Sequence, residues 1–154
     1  MVTRPLQSMA SSLHALVFSS SNTNSPPQPR TFIELHENIS LKKVRADLYE
    51  VDLSSVPLTT TDGISFLQAL LDKAKKFKIT LRLNNNQLSS ISPEIGNLNH
   101  ITFLDLSCNN LLELPSEIGQ LSTLQILSCF DNSLADIPAT CSNLTNLTSL
   151  NNQK

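Results

Sequence analysis

Apolar positions in the second half of the chain recur with a 23-residue period that does not drift. Leu81, Leu104, Leu127 and Leu150 form one column, and Leu83, Leu106 and Cys129 form the next. Asn86, Asn109 and Asn132 follow, then Leu88, Leu111 and Leu134. Further columns are Ile91, Leu114, Ile137; Ile95, Ile118, Cys141; Gly96, Gly119, Ser142; and Leu98, Leu121, Leu144. Self-similarity at this period predicts a stacked solenoid, in which each unit buries its apolar side against its neighbours.

The columns also predict the shape of one unit. Two leucines separated by one residue, as at Leu81 and Leu83, point to the same side of a short strand. The asparagine that follows is flanked by inward apolar columns, so its carboxamide must find partners inside the stack. Backbone groups of adjacent turns supply them, giving a ladder of Asn86, Asn109 and Asn132. Pro115 and Pro138 fix φ and forgo a donor, so the chain returns along the opposite face without forming sheet. Ser92 stands where those prolines recur, with Pro93 one place late.

The first half is less regular. Leu48, Val51 and Leu53 suggest a strand, TTTDG a turn, and Ile64, Leu67, Leu70, Leu71, Ala74 and Phe77 one face of a helix with Asp62 as its N-cap. Lys73, Lys75, Lys76 and Lys78 gather at the C-terminal end of that helix, where cations suit the dipole. Residues 31–47 fit neither a period of 2 nor one of 3.6. Residues 1–30, ending in SSSNTNSPPQPR, hold too little apolar surface to offset backbone entropy and read as a disordered tail; an organelle leader is the alternative.

Residues 101–124, ITFLDLSCNNLLELPSEIGQLSTL, resemble a leucine-rich repeat. The 23-residue length with LPxxIxxL resembles the intracellular, Ras-suppressor-like class of that family, and residues 48–77 resemble a longer repeat of the ribonuclease-inhibitor kind. The resemblance implies an α/β solenoid: a short parallel sheet on a concave face, helical or irregular turns on the convex face, and partner binding on the concave side. The expected organisation is a poorly structured segment 1–47 and a repeat domain 48–154, with repeats at 48–77, 78–100, 101–123, 124–146 and a partial one at 147–154. The next ladder asparagine would fall one residue past Lys154, so no C-terminal cap is expected. Two alternatives to a self-sufficient adaptor follow: the recruiting part of a larger signalling enzyme, and a truncated product without activity of its own.

Composition narrows the function classes. Charged residues are 16% of the chain, against roughly 25% in soluble domains. The net charge of −2 hides an asymmetry: residues 1–82 hold ten cations and seven acids, whereas residues 83–153 hold six acids and no Lys or Arg. This balance disfavours a nucleic-acid partner, although KAKKFK and LKKVR could touch phosphates if they are more than a solvated helix end. No apolar run approaches the ~20 residues of a membrane span. Three glycines are too sparse for a phosphate-cradling loop, and no GxSxG or HExxH motif is present. No catalytic residue, cofactor, metal or small-molecule substrate is therefore expected. Cys108, Cys129 and Cys141 read as structural, with a reactive Cys108 as the alternative, and their odd number without CxxC spacing favours the cytoplasm. Sequons at Asn38, Asn143 and Asn146 read as chance matches in a chain rich in Asn, Ser and Thr.

Strand alternation places Thr80, Phe103 and Ile126 in one row of the concave face and Arg82, Asp105 and Ser128 in the next. Asn84, Ser107 and Phe130 lie beyond, with Asp131 alongside. Aromatic and aliphatic anchors rimmed by polar groups are what protein interfaces favour, so these ten residues are the candidate contacts for a protein partner. The bland alternative is that Phe103, Ile126 and Phe130 are there for β-propensity and pack on one another.

Overall fold

Ile79 and Leu81, like Leu104 and Leu106, stand two residues apart and are almost completely buried, so one side of each short strand faces a continuous core. The computed structural model of the chain describes residues 30–31, 42–56, 58–61 and 78–153. Eight strands are found among them: β1 (Arg30–Thr31), β2 (Lys42–Arg45), β3 (Leu48–Asp52), β4 (Leu58–Thr60), β5 (Lys78–Arg82), β6 (Ile101–Asp105), β7 (Ile126–Ser128) and β8 (Ser149–Asn151). Strands β2-β3-β5-β6-β7-β8 form one sheet in that order, and β1 pairs with β4 separately. All pairings in the large sheet are parallel except β2 with β3.

Register follows the repeat period. Leu81 faces Leu104, Leu104 faces Leu127, and Leu127 faces Leu150 on adjacent strands. The longer step from β3 to β5 is absorbed without a slip, with Val51 opposite Leu81. The antiparallel β2 lies in the stretch whose apolar spacing shows no period; it lines the outer edge of β3 with the sequence KKVR, and charged edge strands discourage further pairing. The helix expected from Ile64 to Phe77, with its Asp62 cap, lies outside the described residues, as does the tail over 1–29.

Among the described residues the returning face has three 3₁₀ turns, Pro93–Asn97, Ser116–Gln120 and Ala139–Asn143. Each begins after an extended residue: Ser92 in the first, Pro115 and Pro138 in the others. The Ser92 side chain accepts from the Glu94 N–H at 3.3 Å, so a hydroxyl cap performs at the first turn what a fixed proline φ performs at the next two. These turns stack closely enough that glycine is required. A Cβ on Gly119 would collide with the Thr140 carbonyl oxygen and come within 2.7 Å of the Thr140 Cβ; one on Gly96 would lie 2.8 Å from the Glu117 carbonyl oxygen. Ser142 occupies the same column on the last described turn and is exposed.

The asparagines tie these layers together. Nδ2 of Asn109 donates to the carbonyls of Leu83 at 3.0 Å, Leu106 at 2.9 Å and Ser107 at 3.2 Å, while its Oδ1 accepts from Leu88 N–H at 3.1 Å. Asn86 donates to Leu53, Leu83 and Asn84 and accepts from Val56 and Leu58. Asn132 donates to Leu106, Cys129 and Phe130 and accepts from Leu111. The Leu83 and Leu106 carbonyls each receive two asparagines, one from their own unit and one from the next.

Core burial is complete in the middle of the stack and declines toward β8. Ile95 and Ile118 have no exposure, whereas Cys141 in the same column is only half-buried and Leu150 is 41% exposed.

Replacing Asn109 by Leu strands the Leu88 N–H and removes a donor from three buried carbonyls, so Asn109→Leu is expected to lose about 2–4 kcal/mol of stability. Urea denaturation checks it, and a midpoint equal to wild type contradicts the ladder. Gly119→Ala is expected to cost about 1–3 kcal/mol through overpacking against Thr140, whereas Ser142→Ala is neutral. Thermal melts of the two variants side by side test that contrast.

Candidate functional site

The strand residues that alternate with the core columns form three rows across the sheet. Thr80, Phe103 and Ile126 are in register, as are Arg82, Asp105 and Ser128. Asn84, Ser107 and Phe130 continue a third row, held by hydrogen bonds from Asn85 N–H to the Ser107 carbonyl at 3.1 Å and from Cys108 N–H to the Phe130 carbonyl at 3.0 Å. Neighbouring strands extend two rows to residues absent from the expected set. Glu50 and Asp52 of β3 stand opposite Thr80 and Arg82, and Ser149 and Asn151 of β8 opposite Ile126 and Ser128. The longer first repeat, stepping from Leu48 to Lys78, carries the rows onto Glu50 and Asp52, and that spacing is the signal that identifies them.

After each of β3, β5, β6 and β7 the chain makes a sharp turn with one residue in the left-handed region: Ser55, Asn85, Cys108 and Asp131, with φ of 57°, 54°, 54° and 53°. Asn and Asp tolerate this conformation and cysteine does so poorly. Asp131 thus lies at the exposed corner beyond Phe130. In two units an Asp–x–Ser pair closes the approach to that corner. Asp52 Oδ1 accepts from the Ser54 N–H and hydroxyl at 3.0 and 2.7 Å, and Asp105 Oδ1 from those of Ser107 at 3.1 and 2.6 Å.

A model of the leucine-rich repeat region matches residues 73–154, more than half of the chain, and it matches where these rows lie. The chain belongs to the leucine-rich repeat family. A solved leucine-rich-repeat protein from Leptospira interrogans is similar to it, at 32% identity with a TM-score of 0.53, over 67% of this chain and 30% of that one. The present chain thus spans under a third of that protein's length. No curated protein matches the sequence. The rows are therefore the concave face of a leucine-rich-repeat solenoid, the kind of fold that generally serves protein interaction.

Exposure divides this leucine-rich-repeat face. Thr80, Asp105, Ser107 and Ser128 are buried, and Arg82, Asn84 and Phe103 are half-buried. Ile126 and Phe130 stand out at 36% and 37% exposed, with Asp131 beside them. Arg82 is engaged within the chain: its Nε donates to Glu50 Oε1 at 2.7 Å, its Nη1 lies 3.8 Å from Asp105 Oδ2, and its guanidinium carbon sits 5.2 Å from the centre of the Phe103 ring. The hydrogen bond to Glu50 leads in raising the Arg82 pKa, with the nearby charges of Glu50, Asp105 and Asp52 adding to it against the opposing effect of burial. Phe103 therefore serves as a platform for Arg82, and the open apolar surface lies on the Ile126–Phe130 side.

The cysteines are poor nucleophiles in this setting. Burial pushes the Cys129 thiol up to about 11, with Cys141 nearby adding to it; burial also raises Cys141. Cys108 is raised by burial and then by its hydrogen bond to Asp131, so its proton is held against a carboxylate. A raised thiol pKa lowers the thiolate fraction at any pH below it, and the thiolate is the reactive form. Among the described residues no three His, Cys, Asp or Glu side chains cluster to hold a metal, and no helix is long and apolar enough to cross a membrane.

Iodoacetamide at pH 8 is accordingly expected to leave Cys129 unmodified in the native chain and to alkylate all three cysteines in urea. Mass spectrometry of the two digests checks this. Native labelling of Cys129 at the rate seen in urea contradicts its burial.

Proposed function

We propose that this chain is a protein-interaction module, an adaptor or scaffold of the cytoplasm, that holds a protein partner on its concave face. The observation that carries this reading is the exposure of Ile126 and Phe130 on a sheet face whose other expected members, Asp131 apart, are buried or half-buried. Apolar side chains presented from a rigid sheet, beside small polar residues, are the composition of interface centres. The contacts are assigned to Phe103, Ile126 and Phe130 as apolar anchors, to Arg82, Asp105 and Asp131 as charged neighbours, and to Thr80, Asn84, Ser107 and Ser128 as the polar floor. Asn86, Asn109 and Asn132 hold the frame.

Two features support the Ras-suppressor-like class: the constant 23-residue step and the short 3₁₀ turns opened by the SP, LP and IP positions. We take residues 48–154 as the repeat domain and 1–47 as a lead-in whose strand β2 pairs with the starting edge of the sheet. Three free cysteines support a reducing compartment. No step of catalysis is assigned to any residue.

A pull-down from cell extract with wild type and with Phe103→Ala/Phe130→Ala tests the reading. Recovery of specific partners is expected to fall strongly in the double variant while its circular dichroism stays that of wild type. Equal recovery would remove the concave face from the account.

A further inference from the structure

The concave face is chemically one-sided. Residues 83–153 contain six acids and no Lys or Arg, so every strand from β6 onward lacks a cation. Among the described residues of β5 to β8, the face has its cations on β5 alone: Lys78 at the exposed start of the strand, and Arg82, which is bound to Glu50 and close to Asp105 and Phe103. The Arg82 charge is spent inside the sheet and does not offset the acids for an incoming ligand. At the far side of the face Asp131 is exposed at the left-handed corner that follows Phe130. Its side chain contacts the neutral Cys108 thiol, and the strands β6, β7 and β8 around it carry no Lys or Arg.

Beside this charge lies the apolar surface. Ile126, Ser128 and Phe130 follow one another on the same side of the chain, so two exposed apolar side chains flank a buried serine over about 13 Å. Ser107, almost fully buried, adjoins Phe130 in the third row. The result is a low serine floor between apolar walls, with a carboxylate at one end. In the same row the Asn84 Oδ1 is buried and accepts no hydrogen bond, an acceptor left without a donor.

We infer that the Ile126–Ser128–Phe130 notch takes a polypeptide segment in which an apolar anchor side chain stands next to lysine or arginine. The anchor fills the notch between Ile126 and Phe130, and the neighbouring cation lies against Asp131. Donor-rich side chains suit this end of the face because the ionised Asp131 carboxylate is acceptor only. An anionic segment at this end meets Asp131 with no Lys or Arg on β6, β7 or β8 to receive it, and a neutral one leaves Asp131 facing an apolar contact. The inference rests on the concave-face reading above and adds the chemistry of the partner.

Selection of a random peptide library on the full chain, followed by affinity measurements on the selected peptides, tests it. Selected peptides are expected to pair Lys or Arg with Leu, Phe or Trp. Binding should weaken at least about tenfold in Ile126→Ala/Phe130→Ala and several-fold in Asp131→Asn, with the loss in Asp131→Asn shrinking at high salt. Asn tolerates the left-handed corner and the two alanine positions are outside the core, so all variants keep the fold. Acidic or uncharged peptides that depend on Ile126 and Phe130 overturn the basic partner and leave the docking face standing. Basic peptides that bind the double variant as well as wild type overturn the notch and the face together, as does a selection that enriches no peptide. Release of bound peptide by a second copy of the chain, seen as self-association on gel filtration, overturns the peptide assignment in favour of a dimer.

Discussion

The hydrogen bonds of three asparagine side chains hold this solenoid in register. Each of Asn86, Asn109 and Asn132 donates to a carbonyl of the preceding unit and to carbonyls of its own, and accepts from an N–H of the preceding unit. A carboxamide is suited to this because it carries donors and an acceptor on one short stem; aspartate has no donor and leucine has neither. Since the Leu83 and Leu106 carbonyls are each shared by two asparagines, the links run from Leu53 to Cys129 without a gap. The strands themselves are short, too short to fix their own alignment securely. The ladder pins the ends of β3, β5, β6 and β7, and the rows of the concave face inherit that alignment.

That alignment has chemical consequences. It brings Arg82 between Glu50 on one strand and Asp105 on another, so an arginine that reads as an available cation is an internal cross-strand pair. It also sets Phe103 under the same guanidinium. What remains open to a partner is displaced toward the repeat at 124–146, where the register supplies apolar side chains and no countercharge. On the opposite face the same spacing is enforced by close packing of the 3₁₀ turns at Gly96 and Gly119. The two faces therefore hold the unit spacing by different means: directed hydrogen bonds on one and the absence of a Cβ on the other.

Much of this was legible in the chain. The repeat columns identify the stack, the strand positions from β5 to β8, the ladder asparagines and the glycine column, because every unit solves the same burial problem with the same residues. The proline column also marks where the 3₁₀ turns of the returning face begin. Less was legible where the period fails. The strand β2 is too charged and too short for an apolar pattern, and it exists because β3 offers an edge to pair with. The left-handed corners at Cys108 and Asp131 carry no common residue type, since the turn is imposed by the ladder bonds around it and cysteine has no preference for it.

The repeat arithmetic was enough to establish which residues are inside and which alternate onto the outer faces, because a strand turns every second side chain the same way. How much of each outward residue a partner can reach depended on contacts between strands far apart in sequence. Glu50, Arg82 and Asp105 each belong to a different repeat, and only the parallel pairing of their strands puts opposite charges within reach of one another. Thr80, buried between Glu50 and Phe103, and Ser128, buried between Asp105 and Asn151, likewise owe their neighbours to adjacent strands, a three-dimensional property that no single unit contains.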